Sequence, residues 1–77
     1  MHTPRNELTE RETDVLRLAA SGMGDKLIAA QLGIGRRTVS NHMGVVLLKL
    51  DAANRTEAVA IAIRDRLLEP PPRRDDR

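Results

Sequence analysis

The chain has no cysteine and no phenylalanine, tryptophan or tyrosine among its 77 residues. Without thiols there is no disulfide, no thiolate nucleophile and no thiolate metal site. Without aromatic rings there is nothing on which to stack an unpaired base, which argues against the common RNA modules and the sequence-tolerant single-strand binders. The two histidines, His2 and His42, are far apart in the sequence, so no metal site is expected, and no other cofactor. Ser21 and Ser40 have no candidate base beside them, and the chain is not expected to be an enzyme. No apolar run approaches the roughly 18 residues that a membrane span needs. The start, MHTPRNELTER, is too polar for a signal peptide, so a cytoplasmic location without membrane association is expected.

Excess charge is also scarce: the formal net charge is only +2. Its distribution says more than its total. Between Glu7 and Arg17 the acids Glu7, Glu10, Glu12 and Asp14 face only two arginines, whereas between Asp25 and Lys49 the cations Lys26, Arg36, Arg37 and Lys49 face Asp25 alone. This pattern predicts a negative side and a positive side. A chain of this length makes one small domain with a core worth about 3 to 5 kcal/mol, so association with a second copy would help it.

Punctuation and period predict four helices, at about 9–21, 25–32, 36–50 and 55–68, and hence an all-α fold. Thr9 and Glu12 form a capping-box pattern that opens the first helix. Gly22 is placed to end it in a left-handed conformation. Val15, Leu16, Leu18 and Ala19 give the first helix its apolar side, and Ile28, Ala29 and Leu32 do so for the second. A tight corner, Gly33-Ile34-Gly35, follows, with Ile34 able to plug the core. Asn54 and Glu57 form a second capping-box pattern before the fourth helix. Residues 1–7 are expected to be a flexible arm, 8–68 the domain, and 69–77, EPPPRRDDR, a disordered tail.

The third helix divides its residues most clearly. Val39, Met43, Val46 and Leu50 recur as one stripe at 3.6 residues per turn and should face the core. Arg37, Asn41, Gly44 and Leu48 fall opposite, with Ser40 and Val45 at the margins. A merely solvated face is normally filled with good helix formers, and a mid-helix glycine costs about 1 kcal/mol relative to alanine. Close approach by something else would explain it. His42, at the edge of the apolar stripe, is expected to pack rather than to ligate. In the fourth helix Ala58, Ile61 and Ala62 form one apolar side, and Val59, Ala60, Ile63 and Leu67 form a second, which is expected to make a homodimer contact.

Four motifs in order, LTERETDVLRLAASG, KLIAAQLGI, RRTVSNHMGVVLLKL and NRTEAVAIAI, give residues 8–68 a resemblance to the LuxR/FixJ-type (GerE-like) helix-turn-helix domain of bacterial transcription regulators. The resemblance implies sequence-specific binding of duplex DNA, with the third helix in the major groove, the second braced across the backbone and the fourth forming dimers. It further implies that Lys26, Arg36, Arg37 and Thr38 lie at phosphates, helped by the free amides of a helix start. Ser40, Asn41 and Gly44 would then occupy base-reading positions, with Asn41 suited to adenine and Arg37 to guanine or a phosphate. Such domains normally follow a signal-receiving domain in a longer parent chain. The sequence departs from the family pattern at Gly24 and Gly35, where serine caps are usual, at Leu27 in place of glutamate, and at Ser40 in place of lysine. The last departure removes a cationic contact and predicts weaker, more salt-sensitive binding.

Two other functions compete on the sequence alone. A promoter-binding segment of a sigma factor begins similarly, but the spare apolar stripe of the fourth helix suits a dimerising domain better. A helical protein-interaction module without DNA binding would use the fourth helix together with Val45 and Leu48.

Overall fold

Each helix begins at a residue in extended conformation and is followed by a left-handed one, so the chain's punctuation sets the architecture. The computed structural model describes residues 7–68, which contain α1 (Glu10–Ala20), α2 (Asp25–Leu32), α3 (Arg36–Leu50) and α4 (Arg55–Arg64). The expected arm and tail fall largely outside the described residues. Thr9 closes both halves of its box: its hydroxyl accepts from the Glu12 amide at 3.1 Å, and its own amide donates to Glu12 Oε1 at 2.9 Å.

After α1, Gly22 sits at φ 99°, and the amides of Gly22 and Met23 return to the carbonyls of Ala19 and Leu18. Gly33, at φ 70°, ends α2 in the same way and lets the Ile34 amide reach the Ala29 carbonyl at 3.0 Å. Both turns need a conformation that side chains with a Cβ disfavour.

The core is made of the stripes the sequence marks out. Val15 and Leu16 from α1, Ile28 and Ala29 from α2, Val39, Met43, Val46 and Leu50 from α3, and Ala58, Ile61 and Ala62 from α4 are all buried. Leu8, Leu18, Leu32, Ile34, Val59 and Ile63 pack against them half-buried. Helix α1 touches the other three helices, whereas α2 and α4 do not pack directly against each other. The described residues thus present α2 and α3 as a corner resting on α1 and α4.

Two expectations about the fourth helix need correction. It ends at Arg64 rather than running to Leu68. Arg66 takes a left-handed conformation at φ 63°, and the amides of Leu67 and Leu68 both return to the Ala62 carbonyl. This turn buries Leu68 in the core. A left-handed non-glycine residue costs about 1 to 2 kcal/mol, and burying a leucine side chain returns roughly 1.5 to 3 kcal/mol. Leu67, expected on the second apolar stripe, therefore lies beyond the helix and packs half-buried against the core. The second capping box is only half formed. Asn54 accepts from the Glu57 amide at 2.9 Å, but the Glu57 carboxylate takes the Ala53 amide at 2.6 Å instead of that of Asn54.

Candidate nucleic-acid interface

The register that buries Val39, Met43, Val46 and Leu50 dictates what α3 shows to solvent. Arg36, Arg37, Thr38, Ser40, Asn41, Gly44, Val45 and Leu48 are exposed. Arg37, Asn41, Gly44 and Leu48 run along the side opposite the core, and Leu48 is 79% exposed. A Cβ built on Gly44 meets nothing within 4 Å, so no packing inside the domain calls for glycine there. Ala60 on α4 is exposed, with Val59 and Ile63 half-buried beside it.

The N-terminal ends of α2 and α3 carry the free positive charge. Lys26, Arg36 and Arg37 are exposed and, among the described residues, none is in an ion pair. Gly24 and Gly35 precede these helices without a side-chain cap, so no cap side chain competes for their first-turn amides. A helix start with open amides and nearby cations suits an anion. Thr38 lies in the same first turn of α3 and is exposed.

Lys49, counted by sequence with the positive side, does not belong to it. Its ammonium donates to Glu12 Oε1 at 2.8 Å and to the Glu7 carbonyl at 3.2 Å, tying the end of α3 to the start of α1. Burial pushes the Glu12 carboxyl up, but the Lys49 hydrogen bond, the Thr9 amide and the Lys49 charge together outweigh it and hold the group below the usual carboxylate range. Glu12 is buried with its acceptors used, which makes this pair structural.

Asp25 is the residue that the sequence did not single out. One oxygen of its carboxylate pairs with the Arg55 guanidinium at the start of α4, and the other accepts from the Ser40 hydroxyl at 3.1 Å. The Arg55 hydrogen bond holds the Asp25 carboxyl below its ordinary range against the opposing pull of burial, supported by the Arg55 charge, by Ser40 and by the charge of Arg36. Ser40 is thus exposed but tethered, unlike Asn41 and Gly44. Asp25 and Arg55 are thirty positions apart, and no spacing rule links them. Their only sequence signal is that each opens a helix.

Comparison with known proteins places this geometry among regulators. The family described as "Bacterial regulatory proteins, luxR family" matches residues 6–62. Transcriptional regulatory protein YdfI of Bacillus subtilis is 44% identical over 70 residues, covering 88% of this chain and 33% of YdfI. The HTH-type quorum sensing-dependent transcriptional regulator RpaR of Rhodopseudomonas palustris is 49% identical over 59 residues, covering 77% of this chain and 24% of RpaR. Among solved structures, the response regulator ChrA of a heme-sensing two component system superposes with a TM-score of 0.79 at 35% identity, over 84% of this chain and 32% of that chain. The chain spans roughly a quarter to a third of the length of these similar proteins. Among the described residues no helix is long and apolar enough to cross a membrane.

Proposed function

This chain belongs to the luxR family of bacterial regulatory proteins and carries their DNA-binding domain, and from that premise we propose that α3 enters the major groove of duplex DNA and reads its sequence. In this reading Asn41 and Arg37 face base edges and Gly44 lets the helix sit deep. Lys26, Arg36, Thr38 and the open amides of the α3 start hold phosphates on either side and fix the register without reading bases. Ser40 borders the reading side.

The observation that carries the reading is the unused side of α3. Arg37 and Asn41 are exposed in line with a mid-helix glycine that has open space around it. The domain gains nothing from that glycine, so its use lies with a partner that approaches the helix closely.

The proposal includes a homodimer through α4, with Val59, Ala60 and Ile63 in the contact and Leu67 at its margin after the helix end. It further includes a longer parent regulator with a signal-receiving domain, by analogy with ChrA, which is described as a response regulator. Two copies would then read half-sites about 10 base pairs, or roughly 34 Å, apart.

Binding to a selected duplex, followed across salt concentrations, tests this. Arg37→Ala and Asn41→Ala should each weaken discrimination by about 1 to 3 kcal/mol while leaving thermal stability unchanged. Lys26→Ala should weaken all sequences alike and reduce the slope of log affinity against log salt by about 0.9. If Arg37→Ala and Asn41→Ala both leave affinity and preference untouched, the reading side is misassigned. No affinity at low salt would favour a protein-interaction surface around Val45 and Leu48. A species that sediments as a monomer both free and on DNA would reject the dimer.

A further inference from the structure

The Ser40 hydroxyl carries one proton to donate and two lone pairs to accept with. In the structure that proton is directed at Asp25, at 3.1 Å. The carboxylate is held in place from its other side by Arg55, so the contact joins all three of α2, α3 and α4 at one carboxylate, although α2 and α4 do not otherwise pack together. Both oxygens of Asp25 are therefore engaged by donors. Turning the Ser40 proton elsewhere would give up a hydrogen bond to a charged acceptor, which is about twice as strong as a neutral one.

We propose, resting on the groove reading above, that Asp25 is a specificity-positioning residue: it commits the Ser40 proton, so that Ser40 offers the groove lone pairs alone. A serine in the major groove ordinarily pairs with either kind of base edge. Held this way, it accepts from the exocyclic amine of adenine or cytosine, and it is mismatched to O6 and N7 of guanine, to O4 of thymine and to phosphate oxygens. Ser40 is exposed next to Asn41, where those lone pairs are open to a base. One position of each half-site should then prefer a base with an amine in the groove.

The substitution Asp25→Asn reverses the polarity without removing the side chain. Arg55 has only donors and takes the amide oxygen, which turns the amide NH2 toward Ser40. Ser40 then accepts from Asn and its own proton is free for the groove.

Selection from random duplexes, run with the full chain as wild type, Ser40→Ala, Asp25→Asn and the double variant, reads this directly. Wild type should enrich adenine or cytosine at one position per half-site by roughly three- to tenfold, the equivalent of one hydrogen bond. Ser40→Ala should flatten that position alone. Asp25→Asn should move it to guanine or thymine, and in the Ser40→Ala background it should move nothing there. A uniform gain in affinity for Asp25→Asn follows from the lost negative charge, so base preference is the readout. Retention of the adenine or cytosine preference by Asp25→Asn overturns the proposal.

If circular dichroism shows that Asp25→Asn does not fold, Ser40→Ala decides, because it alters an exposed side chain. Flattening at an adenine or cytosine position supports the proposal; flattening at a guanine or thymine position, or none, overturns it. A wild type that enriches no sequence overturns the groove reading and this inference together. A defined wild-type site that the variants leave unchanged overturns this inference alone.

Discussion

Helices α1 and α4 begin behind side chains that cap them, Thr9 and Asn54, whereas α2 and α3 begin behind Gly24 and Gly35, which cap nothing. The same contrast runs through the charges. Glu12 and Lys49 satisfy each other where α1 meets the end of α3, while Lys26, Arg36 and Arg37 stand unpaired among the described residues at the starts of α2 and α3. Part of the molecule closes its polar groups on itself, and part leaves them open. The open part costs stability in the free domain, and only an external partner gives that cost a use. Asp25 stands between the two, with Arg55 on the closed side and Ser40 on the open one.

The largest test of this division compares two leucines. Leu16 is fully buried and Leu48 is 79% exposed. Leu16→Ala should remove about 2 to 5 kcal/mol, which is most of what a domain of this size has, and should shift or abolish the urea unfolding transition. Leu48→Ala should stay within about 0.5 kcal/mol of wild type. Comparable losses from the two would mean that the outer side of α3 is packed after all and the contrast is false.

The next test acts on the Glu12–Lys49 pair. Lys49→Ala leaves a buried carboxylate with the Thr9 amide as its remaining partner, and the cost should be about 2 kcal/mol, below the 3 to 5 typical of fully buried pairs because Lys49 retains some exposure. The pH dependence gives the sign. Glu12 and Asp25 are both held below their ordinary values in the folded state, so their contribution is present above the unfolded pKa of about 4 and is lost as pH falls through the lower folded values. In Lys49→Ala burial pushes Glu12 back up, and the acid loss measured by urea unfolding between about pH 5 and pH 2 should become shallower. An unchanged acid limb would show that Lys49 does not set the ionisation of Glu12.

How far the sequence predicted this arrangement depends on the range of the interaction involved. The buried stripe Val39, Met43, Val46 and Leu50 was legible because a period of 3.6 residues is a local property, and the capping box at Thr9 because its partners are three residues apart. The end of α4 was not legible: Leu67 and Leu68 continue an apolar pattern, and the left-handed turn falls on Arg66, which carries none of the signal a glycine gives. Lys49 was counted with the positive side because segment charge ignores direction, and its direction follows from how α1 packs on α3. The partnership of Asp25, Ser40 and Arg55 arises only when three helices meet. For the candidate site, exposure of Arg37, Asn41 and Gly44 followed from the buried stripe, whereas the tether on Ser40 did not.

The smallest expected effect is the most discriminating, because it should move stability and binding in opposite directions. Gly44 lies inside α3, where alanine is favoured by about 1 kcal/mol, and a Cβ there meets no atom within 4 Å. Gly44→Ala should therefore stabilise the free domain by about 1 kcal/mol in urea unfolding. On DNA the added methyl occupies the space through which the groove approaches, and affinity should fall roughly tenfold, about 1.4 kcal/mol. Most destabilising changes lower both quantities, and most surface changes alter neither, so opposite signs isolate a residue kept for its partner. Stabilisation with unchanged affinity would show that nothing comes close to α3 at Gly44, and the open part of the molecule would then have to begin at Arg37 and end at Asn41.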